Sequence, residues 1–147
     1  AQIAALYHQE RSLFDRCMTL ASYEQALEFF GKVSPSPYWK NHFSFGKESK
    51  ESHKHLSPML IANLWINTIV PMQYAYARSR GKNTLAECKA KLRATPAEHN
   101  SILERWEGLL LPNTNAMESQ AILQLYKKYC NKHACMACQV GQVLLKK

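Results

Sequence analysis

The chain has 147 residues, a net charge of +8 and an apolar content of 46%. That length suits one domain and buries a core without disulfide staples, and the composition excludes wholesale disorder. Five Gly and six Pro are too few for a collagen-like or low-complexity chain.

In chain order, helix signals recur. Ile3, Leu6 and Tyr7 mark one face of a first helix, and Leu13, Phe14, Cys17 and Met18 mark a second. Ser22 with Gln25 is a capping-box start, and Gly31 suits the end of the helix it opens. Residues 32–55 read as a long loop with short helical turns, because Pro35 and Pro37 forbid a regular helix there. Ser57-Pro58 then starts a helix that runs to about Arg80, with Pro71 kinking or splitting it. The uncharged stretch Leu56–Ala77 is long enough to raise a membrane span. Asn63, Asn67 and Gln73 are costly in lipid, so a buried central helix and no membrane partner are expected.

Thr84 with Glu87 starts a further helix to about Arg93, and Thr95-Pro96 with Glu98 reads as the clearest capping box in the chain. That helix carries Ile102, Leu103 and Trp106 and stops at Gly108. Leu109–Asn113 is a linker broken by Pro112. Asn115 with Glu118 opens the next helix, which delivers Cys130 at its end, and a short helix over about 138–145 closes the chain. No repeat and no Asn-Gly or Asp-Gly hairpin signal is present. The expectation is one all-α domain over residues 1–147. It is a compact bundle of seven or eight helices with one long aromatic and basic loop and no sheet.

Three features carry candidate chemistry. First, Cys130, Cys135 and Cys138 form C-x4-C-x2-C, and two thiolates three residues apart can point at one soft ion. These three are candidate metal ligands for zinc or an iron–sulfur cluster, with His133, Cys88 or Cys17 as a fourth. The spacing resembles the iron–sulfur loops of endonuclease III-type DNA glycosylases, which have four Cys where this chain offers three. Packing of the cysteines as small hydrophobes and a redox C-x-x-C stay open beside the metal reading.

Second, the loop PSPYWKNHFSFGKESKESHKH interleaves aromatics with cations. Lys40, His42 and Lys47 are candidate phosphate contacts, with Tyr38 and Trp39 stacking on bases. Third, Arg78, Arg80 and Lys82 head a basic turn, followed by Lys89, Lys91 and Arg93, which suits DNA, RNA or an acidic partner domain. Against both stands the plainer reading of solvated lysines around a packed loop. There is no Gly-rich phosphate loop, no G-x-S-x-G, no H-E-x-x-H and no convincing carboxylate pair. The chain by itself is not expected to be an enzyme. The lack of a signal-peptide pattern and the odd number of Cys point to a reduced, cytoplasmic setting. The opening AQIAALYHQE has no initiator Met and reads as an internal start within a longer protein.

The motifs AQIAAL, YW-x2-H-x2-FGKESK, INTIVP, PAEHNSI and SQAILQLYKKYCNKHACMACQVG, in that order, resemble the C-terminal half of a bacterial domain-of-unknown-function family numbered 2851. The family has no established activity. The resemblance implies longer proteins whose N-terminal half carries an acidic-then-Glu-x-His-x-Lys pattern, similar to the metal-dependent PD-(D/E)xK nuclease core. It implies that family members share Cys130, Cys135 and Cys138, and that this chain is the helical companion of a nuclease-like domain in the same protein. The functional expectation is an accessory domain that assists nucleic-acid binding, with a structural metal in the Cys loop. The alternative is an interaction domain with neither.

Overall fold

A computed structural model describes residues 2–52, 54–108 and 113–145. Among these helices dominate and the sheet is one small two-stranded hairpin, so the all-α expectation holds. The expected linker at 109–112 and the last two residues lie outside the described residues. Contacts divide the chain into two compact units, residues 1–91 and 92–147.

The first unit is built around its central helix. Ser57 accepts the Leu60 N–H at 3.2 Å and Pro58 occupies the first turn, so α4 (Pro58–Leu64) starts where an N-cap and a proline predict it. The rod continues through a π turn, Trp65–Ile69, into α5 (Val70–Ser79). Pro71 causes this. Its ring has no N–H and would clash with the carbonyl four residues back, and the widened turn just before it absorbs the fault. The Val70 N–H reaches back five residues to the Trp65 carbonyl.

The π turn also faces Trp65, Ile66 and Ile69 inward, where all three are buried. Around this rod pack α1 (Gln2–Gln9), α2 (Leu13–Thr19) and α3 (Tyr23–Gly31). They contribute Leu6, Cys17, Ala26 and Phe30 to the core. The α3 cap is as expected, with Ser22 accepting from the Gln25 N–H and Gln25 reaching back to the Ala21 N–H at 2.9 Å. Tyr23 donates to the Pro58 carbonyl at 3.2 Å, which ties α3 to the start of α4.

Residues 32–55 are the place where the no-sheet expectation is corrected. A 3-10 turn, Pro37–Lys40, leads into an antiparallel hairpin of β1 (His42–Ser44) and β2 (Lys47–Glu48). The loop is Phe45-Gly46, with Gly46 at φ +68. Glycine supplies the left-handed conformation there at no steric cost, which is why a hairpin forms without an Asn-Gly or Asp-Gly pair.

The helix after α5 is α6 (Leu85–Ala94). It starts after Thr84 as expected, with the Thr84 carbonyl accepting the Cys88 N–H at 3.0 Å, but the side-chain cap comes from the residue before. The Asn83 side chain accepts the Leu85 N–H at 3.3 Å, while the Thr84 hydroxyl is buried without a partner.

In the second unit, α7 (Ser101–Glu107) is capped by Asn100, which accepts from Ile102 and Leu103. The expected capping box at Thr95 is therefore overturned. Thr95 is buried and its carbonyl accepts the Ala116 N–H at 2.9 Å, while Pro96 bridges to Asn115. The Glu98 N–H, which a capping box would aim at Thr95, goes to the Ser119 hydroxyl at 2.9 Å. These bonds hold residues 95–98 extended against α8 (Ala116–Lys128), whose cap Asn115 accepts the Glu118 N–H as expected. Two 3-10 turns, Cys130–Lys132 and Cys135–Ala137, then lead into α9 (Gln139–Leu145).

Candidate nucleic-acid interface

The hairpin is an aromatic cluster with lysines around it. Tyr38 is its anchor. Its ring stacks on His42 at 3.9 Å and 13°, and its hydroxyl accepts the Gly46 N–H at 2.9 Å. His42 is thereby committed inward, with Nδ1 within 2.8 Å of both the Tyr38 carbonyl and the Asn41 side-chain oxygen. Two acceptors at one nitrogen require that nitrogen to carry the proton. His42, a candidate phosphate contact, thus shapes the hairpin.

Tyr38 and Trp39 were expected to offer faces to bases. Trp39 is half-buried and meets Phe45 edge-on at 5.1 Å, and Tyr38 gives one face to His42. The outward rings are Phe43, 76% exposed, and Phe45, 84% exposed. The alternating His-Phe-Ser-Phe before Gly46 was the sequence signal for this display. Lys54 lies over the Phe43 ring at 3.8 Å and donates to the His42 carbonyl. Lys40, Lys47 and Lys50 are exposed on the same short segment, where Glu48 and Glu51 are the acids.

The basic turn after α5 follows from helix-ending geometry. The Lys82 N–H bonds the Ala77 carbonyl and the Gly81 N–H bonds the Arg78 carbonyl, both at 3.0 Å, with Gly81 at φ +74. This is a Schellman ending, and it projects Arg78, Arg80 and Lys82 into solvent. Arg78 and Lys82 border one shallow cavity with Tyr74 and Asn83. Arg80 is held by Tyr76, donating to its hydroxyl at 2.7 Å.

Lys91, expected on this basic edge, turns inward. It donates to the Leu20 carbonyl at 3.1 Å and to Gln73 at 2.7 Å, and burial pushes its amine down from the ordinary lysine range. Gln73 in turn donates to the carbonyls of Cys17 and Leu20 at 2.8 and 2.9 Å. The two side chains satisfy the C-terminal end of α2.

The three clustered cysteines have three different environments. Cys130 is half-buried, Cys135 exposed and Cys138 buried. Cys138 precedes α9, and α9 packs so closely on the Cys135 turn that a Cβ at Gly141 would lie 2.3 Å from the Cys135 carbonyl oxygen. Gly141 is what lets the two approach. His133 is exposed and holds a left-handed φ of 51. Cys17 and Cys88 are buried in the first unit, and burial pushes the Cys17 thiol up. Among the described residues no three of His, Cys, Asp and Glu are gathered so as to hold one metal ion. No helix among them is long and apolar enough to cross a membrane.

A helical chain that displays an aromatic and basic hairpin is the class these observations define. The chain belongs to the family described as protein of unknown function (DUF2851), whose sequence profile matches residues 1–101. The matched span contains the hairpin and the Arg78–Lys82 turn and stops short of the cysteine loop. No curated protein and no solved structure gives a significant match.

Proposed function

We propose that this chain is a helical accessory module that adds nucleic-acid affinity to a nuclease-like domain of the same protein. The observation that carries the reading is the exposure of Lys40, Lys47, Arg78 and Lys82 on two short, well-braced elements of one unit. Cations on fixed backbone reach phosphates with little ordering cost, and Lys and Arg contacts to phosphate dominate affinity for DNA and RNA. The net charge of +8 favours the same partner. The test is binding of the full chain to labelled DNA and RNA at low and then physiological ionic strength. Binding that weakens steeply with salt is expected. No binding at low salt ends the proposal.

A second reading has its own observation. Ile3, Tyr7 and Phe14 are 61, 77 and 47% exposed beside an apolar cavity of about 360 Å3 lined by Leu6, Cys17 and Met72. Exposed apolar surface of this kind suits a docked protein partner. A chain that only packs against such a partner shows no salt-linked nucleic-acid binding.

A further inference from the structure

We infer, building on the nucleic-acid reading above, that the hairpin is a stacking site for single-stranded nucleic acid, with Phe45 as the platform for a base. Turn positions are normally polar, so an 84% exposed phenylalanine at the tip of a two-residue loop is costly display. The ring is also held in place. Trp39 supports it edge-on at 5.1 Å, Tyr38 lies 6.2 Å away, and the Tyr38 hydroxyl clamps the next residue's N–H. A ring braced on one side loses less freedom when a base settles on it than an unsupported one.

Charge complementarity says what that partner is. Four lysines, Lys40, Lys47, Lys50 and Lys54, stand in the hairpin segment against Glu48 and Glu51. Lys54 already sits over Phe43 at 3.8 Å, so a cation stands beside an exposed ring, the pair of groups that a phosphate and a base require. An apolar protein partner would leave these ammonium groups to be desolvated. A polyanion with flat faces satisfies both groups. The preference for single strands follows from access, because bases in a duplex have their faces covered by their neighbours, whereas an unpaired base can stack on an aromatic ring.

The experiment measures fluorescence anisotropy of the full chain with a short labelled oligothymidylate, the matching RNA and a duplex of equal length. The variants are Phe45→Ala, Phe45→Tyr and the pair Lys40→Ala/Lys47→Ala. Circular dichroism checks that each is folded, and Phe45 is exposed enough for that to be expected. Single strands should bind more tightly than duplex. Phe45→Ala should weaken single-strand binding by roughly tenfold and leave duplex binding alone, while Phe45→Tyr keeps the affinity. If duplex binds as well as single strand, or if Phe45→Ala changes nothing while the lysine pair does, the stacking inference fails and the accessory reading stands. If the wild-type chain binds no nucleic acid at low salt, both fail and a protein partner is left for the hairpin.

Discussion

His133 shows how much one residue can decide. It closes the 3-10 turn after α8 in a left-handed conformation, with its own N–H on the Cys130 carbonyl and the Ala134 N–H on the Tyr129 carbonyl. That is the position of a helix ending where glycine is the usual occupant, and a side chain there costs about 1–2 kcal/mol. Glycine would remove that cost but give back roughly 0.5–1 kcal/mol of chain entropy. His133→Gly is therefore expected to raise stability by about 0.5 kcal/mol in urea denaturation. A loss would mean that the imidazole makes a contact worth more than the strain, as a metal ligand does. The sequence marks His133 only as a histidine inside a cysteine loop. Its backbone angle depends on how α8 ends, and no residue type announces that.

Between elements, the network of Gln73 and Lys91 binds α5 and α6 to the C-terminal end of α2. In sequence Lys91 looks like its neighbours Lys89 and Arg93, and nothing local separates the inward one from the outward ones. Lys91→Met should cost about 1–2 kcal/mol, since the Leu20 and Gln73 oxygens lose a charged donor. The pH dependence has a definite sign. The amine's pKa is lowered in the folded chain, so between that value and the ordinary 10.5 the unfolded chain binds more protons. Lys91 therefore makes stability rise with pH in that window, and below it the desolvation penalty is fully present. Burial of the Cys17 thiol acts oppositely, lowering stability as pH rises past 9.0. The comparison of wild type with Lys91→Met through alkaline denaturation isolates the lysine. The wild-type curve should climb relative to the variant. Parallel curves would show that the amine titrates in the folded chain as it does in the unfolded one.

At the scale of the whole molecule, the charge of +8 matters through where it stands. One of the basic residues counted from sequence as surface is bound internally, and Lys54 is shared with Phe43 and the His42 carbonyl. The salt dependence of binding reports how many cations actually meet phosphate. Replacing Lys40 and Lys47 by alanine should reduce the slope of log affinity against log salt by about one for each lysine. Lys91→Met should leave that slope unchanged. A slope that falls with Lys91→Met and not with the Lys40 and Lys47 pair would relocate the interface away from the hairpin.

Local sequence by itself determined the helical class, the caps at Ser22, Ser57 and Asn115, the helix stop at Gly108 and the disturbance at Pro71. Each rests on a few neighbouring residues whose backbone preference acts at short range, so it reads directly from the chain. The family membership was legible in the same way, through motifs in order. Tertiary structure decided the rest. It pulled Thr95 into an extended pairing with α8 because the Ala116 N–H and the Ser119 hydroxyl compete for the groups a helix start would use. It stacked Tyr38 and His42 on each other and left Phe43 and Phe45 the most exposed rings of the hairpin. It placed Cys130, Cys135 and Cys138 in three different environments although they lie within nine residues. In all three cases the competing partners are distant in sequence or lie on opposite sides of a turn, and the winner is set by which groups must be buried and bonded at once.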